Sequence, residues 1–527
     1  MEPHPKNASE RLLDIISRNR RCERVGVYAV CSAHPSVIAA AVRQAVEDES
    51  VLHVESTSSQ VNQSGGYTGQ TPSQFAEFVH SVAQHAGLPR NRVLLGGDHL
   101  GPYPWRELPW DVALRNASEL VCSCVRAGYK KIHLDASMAC ADDATPGPDQ
   151  RTIAQRAAIL CRAAESAAED LPQGSSLLLY VIGTEVPAPG GESLSGAPPS
   201  VSAAEEIHHT LELFRAAFDD QKVAAAWERV IGMVVQPGVE FGEEVIFDYD
   251  GQKAMALSSA LPKVPALVYE AHSTDYQKPA ALAKMVEDHF AILKVGPWLT
   301  FAFREAVFAL GAIERELLAY RRGVRLSQVR EALEAAMLRN PVYWRSYYHG
   351  SEDETHLARI YGYSDRCRYY WGDLEVQQEL AQLRANLDTC PVPPALCSQY
   401  LPSQYEAIRS GQLPTHAEEM IQEHIRIVLR IYVAACDQAR QHDEEALKID
   451  RQLAQQNPTV YLPDMAMMLS NLGRVDRLQN RMDEARVHYE EALSLLRQLL
   501  QGDSKYAGEV ARVQASLEEL ASRTPSR

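Results

Sequence analysis

The chain has 527 residues, 46% of them hydrophobic, with 69 acidic and 52 basic side chains and a formal net charge of −17. That balance argues against an extended nucleic-acid surface, though a small anionic substrate needs only a local cluster of donors. No apolar run approaches the roughly 20 residues of a membrane span, MEPHPKNASERLLDII at the start lacks an apolar signal core, and the ten cysteines are scattered, so the expectation is a cytoplasmic protein.

Residues 1–24 read as a helical lead-in. Eight apolar, strand-like runs follow: Val25–Val30, Val51–Ser56, Arg92–His99, Lys130–Ser137, Leu177–Glu185, Ile231–Gly238, Ala266–Thr274 and Phe290–Pro297. Helix-length segments separate them, and most end on a charged or hydroxyl-bearing residue. Eight such units predict an α/β chain with a (β/α)8 barrel over 25–310, whose active site lies at the C-terminal rim of the strands. Asp98, His99, Asp135, Glu185, Glu270, His272 and Lys294 should therefore converge, which predicts an enzyme.

Two loops at strand ends are rich in small polar residues. Ser56–Pro72 could offer Asn62, Gln63 and backbone N–H groups to a sugar or phosphate, and Pro187–Ser202 has the composition of a lid. From Phe301 the apolar spacing becomes helical, and residues 311–436 read as a helical extension. Its Arg-plus-aromatic pieces, Val342–Tyr348 and Asp365–Trp371, are expected to be core, with a cover for the barrel mouth or a subunit contact as the alternatives. The tail, 437–527, is all-helical. Glu444–Leu453 and Glu490–Leu499 are near-copies, and two amphipathic helices flank a turn near Asn480–Met482. Small residues at Gly473 and Ala485 would allow close packing. This resembles a tetratricopeptide repeat, with too few repeats to stand alone, so the tail is expected to pack on the preceding helices or on another chain.

His99, His272 and Glu185 at strand ends make a donor set for a divalent metal, zinc first, with manganese, cobalt or nickel as alternatives. Such a metal would polarise a ketone and stabilise an enediolate. Asp98, with Glu185 or Asp135, could move protons, and Lys294 could neutralise an oxyanion or phosphate. A lysine there also permits a Schiff base, although its neighbours do not suggest a lowered pKa. Phosphate could be held by Ser273, Thr274, the Gly296 N–H and an arginine such as Arg345 or Arg366, since barrels often place phosphate after strands seven and eight.

VLLGGDHLGP, KKIHLDASM, VIGTEVPAPGGE, EAHSTDYQ, LKVGPWLTFAFREAVFAL, GGYTGQTPSQF, VYWRSYY and SDRCRYYW together resemble the large subunit of class II D-tagatose-1,6-bisphosphate aldolase, galactitol/N-acetylgalactosamine type, from about Glu10 to Cys436. The resemblance implies a TIM barrel related to class II fructose-bisphosphate aldolases. It also implies one of two roles: a non-catalytic subunit that stabilises and activates a separate class II aldolase, or a metal-dependent 4-epimerase of tagatose 6-phosphate and fructose 6-phosphate.

Against the catalytic aldolases, Asp98-His99 looks like their acid/base and zinc ligand. Glu185 with Gly190-Gly191 looks like their strand-five Glu, and His272-Ser273-Thr274 like a metal-binding His followed by a phosphate loop. Gln236-Pro237-Gly238 stands where a further zinc-binding His would be, and Lys294-Val295-Gly296-Pro297 replaces their phosphate motif. The expectation is therefore an aldolase-subunit homologue with intrinsic C4 epimerase activity. Its partners are a phosphorylated ketohexose, a catalytic aldolase subunit, further copies in a homo- or hetero-oligomer, and a protein docked on the tail. Substrate contacts are assigned to Ser273, Thr274, Gly296, Asn62, Gln63, Gln236 and Glu270. The alternatives are the aldolase subunit without activity of its own, and an interaction protein with a relict barrel.

Overall fold

The computed structural model describes residues 7–48, 50–145, 147–172, 177–184, 198–261, 267–436, 482–500 and 506–523, and shorter pieces between 462 and 476. The chain divides into two compact units, Met1–Cys436 and Asp437–Arg527.

In the first unit eight parallel strands close a barrel: β1 Val27–Val30, β2 Leu52–Thr57, β3 Val93–Leu100, β4 Lys131–Leu134, β5 Leu179–Ile182, β6 Val230–Val234, β7 Val268–Ala271 and β8 Ile292–Val295. Their order round the barrel follows the chain, and β8 returns to β1 with Val27 opposite Ile292 and Val30 opposite Val295. The eight predicted runs are these eight strands. Side chains of β1 to β8 are buried on both faces, which is why they read as near-continuous apolar runs.

Helix Ala8–Arg20 closes one end. Asn7 and Glu10 form a capping box at its start. Its Leu12 and Ile16 pack with Val27, Leu94, Leu179, Val268 and Ile292, residues at the beginnings of their strands. Asn19 Nδ2 then donates to Val25 O and Val286 O, both at 2.9 Å. With the N-terminal mouth plugged, the C-terminal rim is the accessible end. In the outer layer, helix Ala417–Cys436 packs on Pro35–Glu47, Pro279–Glu287 and Pro297–Leu318, and Tyr432 Oη donates to Thr274 O at 2.8 Å.

Between Leu318 and Ala417 the chain builds a cap from helices Val329–Arg339, Glu352–Tyr361 and Leu374–Asp388 and the 3-10 turns Pro341–Tyr343 and Arg366–Tyr370. Its anchor is Asp365, fully buried at φ +45°. The Asp365 carboxylate accepts from Arg304 Nη1 at 2.7 Å and from Thr300 Oγ1 at 2.6 Å, both on helix Pro297–Leu318. Trp371 meets Phe303 edge-on at 4.9 Å. The aromatic pieces divide accordingly. Trp344, Tyr348 and Trp371 are core, whereas Tyr343, Tyr347 and Tyr369 face the barrel mouth.

In the second unit, helices Met482–Leu500 and Ala507–Arg523 share an apolar core with helical residues between 462 and 476, among them Leu469, Leu472, Ala485, Tyr489 and Leu496. A Cβ on Gly473 would stand 2.7 Å from the Tyr489 ring, so glycine permits this approach. The near-copy Glu444–Leu453 lies outside the described residues. Among the described residues no disulfide is formed, and no helix is long and apolar enough to cross a membrane.

Candidate metal centre and substrate cavity

The site begins with polar residues spaced two apart in otherwise apolar strands. His53 and Glu55 on β2, Lys131 and His133 on β4, and Glu270 and His272 at the end of β7 each share one strand face, and all are buried. They meet Asp98 of β3 and Lys294 of β8 inside the barrel. Lys131 Nζ lies 2.6 Å from both Glu55 and Glu270. Lys294 pairs with Glu55 and lies 3.0 Å from Asp98 Oδ1. Gly96 makes room for this network, since a Cβ there would stand 2.8 Å from Glu55 Cγ.

Asp98 and His99 are sequence neighbours, and a regular strand would send them to opposite faces. The β3–β4 register shifts between Gly97 and Leu100, and His99 takes φ +48°. This irregularity turns both residues to the rim, a common use of a bulge. His99 Nδ1 is held by Asp135 Oδ2 at 2.8 Å. Burial lowers the His99 pKa, but Asp98 and Asp135 outweigh it and bring it above the ordinary imidazole value. A Cβ on Gly101 would overlap Asp135 O at 1.6 Å, so glycine is needed for β3 and the β4 turn to come this close.

Side-chain donors of Asp98, His133, Glu270 and His272 lie within 4.8 Å of one another, all buried. Asp98 Oδ1 is 3.0 Å from His133 Nδ1, and His133 Nε2 is buried with no hydrogen-bond partner among the described residues. The backbone N–H of His99 also donates to His133 Nδ1, at 3.2 Å. Burial, opposed by Asp98 and Glu270, brings the His272 pKa down to about 4, which keeps the imidazole neutral as ligation requires. Four buried carboxylates (Glu55, Asp98, Asp135, Glu270) face two buried ammonium groups (Lys131, Lys294), so carboxylates outnumber ammonium groups in the interior. The donor set and its charge are compatible with a divalent cation.

Asp98, His99, His272 and Lys294 form the floor of a cavity of about 470 Å³, roofed by the cap residues Tyr343, Tyr347, Arg366, Arg368 and Tyr369. Burial lowers the Lys294 pKa, but Asp98, Cys31, Glu55 and Glu270 more than reverse this and hold it well above the usual range. A lysine so charged is a poor nucleophile, so the Schiff-base alternative has no support here. Tyr369 is the reverse case. Burial raises its pKa, and Arg368 and Arg366 outweigh burial and bring the phenol below its ordinary value.

A family model described as D-tagatose-1,6-bisphosphate aldolase subunit GatZ/KbaZ-like matches residues 12–437. The chain belongs to that family. It is also similar, at 42% identity and a TM-score of 0.71, to a probable tagatose 6-phosphate kinase from Sinorhizobium meliloti 1021, with 78% of this chain and 100% of that one covered. Weaker likenesses are to the fructose-bisphosphate aldolase of Campylobacter jejuni (12% identity, TM-score 0.36, 71% and 91% covered) and the YdjI aldolase of Escherichia coli K12 (8%, 0.35, 72% and 98%). The GatZ/KbaZ-like match spans the barrel, the cap and helix Ala417–Cys436, and ends at the boundary of the second unit.

Of the residues expected to converge in this family member, Asp98, His99, Asp135, Glu270, His272 and Lys294 do. Glu185 lies outside the described residues. Asp135, held by His99 and Ser137 and kept well below the usual carboxylate range, positions His99 and does not line the cavity. Glu270 lies below the floor, in the cluster that could hold a metal, because its inward register on β7 puts it beside Lys131. Ser273, at φ +53°, lines the cavity and donates to Glu240 at 3.1 Å. Thr274 is turned inward, where Oγ1 donates to Lys294 O at 2.6 Å.

Asn62 lines the cavity, but its amide is spent on its own loop: Nδ2 donates to Ser58 O, and Oδ1 accepts from Ser64 and Gly66 N–H groups. Gln63 donates to Asn116 O, and Gln236 Oε1 caps Gly238 and Val239; neither reaches the cavity. Arg366 lines it, while Arg345 is exposed elsewhere. His133, Glu55 and Lys131 were missed as site residues. Their signal was in the sequence, as polar pairs at i and i+2 within VLHVES and KKIHLD.

Asp275 yields a prediction of its own. Burial raises its pKa to about 6 even though Gly296 N and Trp298 N donate to it. A carboxyl whose folded pKa exceeds its unfolded one contributes most stability below the unfolded value, and loses it as pH rises through 6. Asp275→Asn is therefore expected to stabilise the protein by about 3 kcal/mol at pH 8 and by less than about 1 kcal/mol near pH 4. Urea midpoints of the two proteins at each pH test this, and a gain independent of pH would contradict it.

Proposed function

We propose that this chain is a divalent-metal-dependent 4-epimerase that interconverts tagatose 6-phosphate and fructose 6-phosphate. The observation that carries the reading is the buried Asp98–His133–Glu270–His272 cluster under the cavity. So many buried charges cost stability unless they are compensated, and a bound cation would provide that compensation. The family and the name of the Sinorhizobium meliloti relative support a tagatose phosphate as substrate.

In this reading the four clustered residues would hold the cation, which would supply Lewis acidity to the bound ketose. His99, oriented by Asp135, exchanges a proton through Nε2 with the C4 hydroxyl. Lys294 stays protonated and offsets developing oxyanion charge. Along a retro-aldol route the C4 hydroxyl loses its proton and the C3–C4 bond breaks. The aldehyde then presents its other face before the bond re-forms. Removal and return of the C4 proton is the alternative route, which needs a base on each face of the sugar, with Asp98 and either Glu185 or Asp135 as the candidates.

The family's description as an aldolase subunit favours a second role, stabilising a separate class II aldolase. We further propose a division into barrel (25–310), helical extension (311–436) and a tetratricopeptide-like tail (437–527) that docks a protein. The Gly473–Tyr489 packing supports the tail assignment.

The purified chain, metal-loaded or chelated, is incubated with tagatose 6-phosphate and fructose 6-phosphate is followed. Conversion is expected only with metal, and re-addition should restore it. A folded, metal-bound chain that converts nothing would sink the epimerase and leave the aldolase-subunit role.

A further inference from the structure

On barrels of this kind phosphate is commonly held in the turn after strands seven and eight, at a helix N-terminus. Here the donors of that turn are already engaged. Gly296 N and Trp298 N donate to Asp275 Oδ1 at 3.0 and 2.8 Å. Pro297 has no N–H, and Leu299 N donates to Gly296 O at 3.0 Å. Asp275, 2% exposed, puts a carboxylate where a phosphate would otherwise sit, and an anion beside it would be repelled.

The cap offers the opposite chemistry. Arg368 lines the cavity and is fixed by neutral partners only. Nη1 donates to Ser364 O and Asp365 O, and Nη2 donates to Tyr369 Oη at 3.0 Å. Those bonds use three of five guanidinium N–H donors, and among the described residues Arg368 forms no ion pair. Arg366, on the same wall, is stacked over Tyr347. Tyr369 is packed flat on Tyr343 at 4.6 Å, which holds the end of this wall rigid. A planar, pre-oriented guanidinium with spare donors matches the fork geometry of a phosphate.

We propose that the phosphate of the substrate binds on the cap, to Arg368 with Arg366 beside it, and not at the helix N-terminus after β8. The proposal rests on the ketohexose-phosphate reading of the site. It runs the sugar from the cap down to the metal donors, so the cap selects phosphorylated substrates.

Calorimetric titration of the metal-loaded full chain with inorganic phosphate and with tagatose 6-phosphate tests this in the wild type, R368Q, R368K and D275N. R368Q should weaken both ligands by about tenfold or more, and R368K by about threefold, since it keeps the charge and loses the fork. D275N should bind both at least as tightly as the wild type. A folded R368Q that binds like the wild type, or loss of binding in D275N, would overturn the subsite. If R368Q does not fold, an unchanged R368K does the same. Arg368-dependent phosphate binding without turnover would keep the subsite and sink the epimerase. Binding of neither ligand by the wild type would overturn both.

Discussion

Replacing His272 with alanine is expected to leave the purified chain without its divalent cation and to lower kcat/KM for tagatose 6-phosphate by about a thousandfold, roughly 4 kcal/mol. The size follows from what would remain. Asp98 and Glu270 are shared with Lys294 and Lys131, so the two histidines are the donors that no ammonium group competes for. With one gone, the carboxylates would settle on the lysines and the ion would leave. His133→Ala should do the same, although His133 lies below the floor and touches no substrate. Metal content measured beside activity separates the causes. Stoichiometric metal in either variant would remove that histidine from the donor set, even if activity fell.

Asp365→Ala is expected to destabilise the first unit by about 3–5 kcal/mol, the usual cost of stranding one partner of a buried ion pair. Arg304 is 2% exposed and Asp365 fully buried, so no water replaces the lost carboxylate, and Thr300 Oγ1 is left with the longer bond to Pro297 O, at 3.1 Å. The backbone adds to the cost, because φ +45° at residue 365 suits aspartate better than alanine. Arg366, Arg368 and Tyr369 follow directly in the chain. KM for the sugar phosphate should therefore rise while the metal content of the folded fraction stays unchanged. Denaturant unfolding followed by steady-state kinetics tests both effects. A stability loss under about 1 kcal/mol would show that the pair does not anchor the cap.

Much of the barrel was legible because β1 to β8 are buried on both faces, and such strands must be apolar along their length. The polar residues at their ends stand out for the same reason, and that is how Asp98, Asp135, His272 and Lys294 could be grouped. Which of them meet was not legible. Spacing along the chain says nothing of which of two adjacent residues faces inward at a bulge, so the bond from Asp135 to His99 Nδ1 could not be read from it. His133 was passed over because it sits mid-strand, one turn of the pleat below the rim. Likewise Gly296 looked like a phosphate donor until Asp275, twenty-one residues earlier, was found bonded to it.

The sequence by itself determined the eight strands, the polar residues at their ends and the helical periodicity beyond residue 300, because each depends on local pattern and on burial of a whole element. Only the tertiary structure decided which four side chains share one ion-sized space, which carboxylates are neutralised by Lys131 and Lys294, and that Arg368 roofs the cavity. Those are matters of distance between strands and loops far apart in the chain, and electrostatic energy in a buried site changes steeply with such distances.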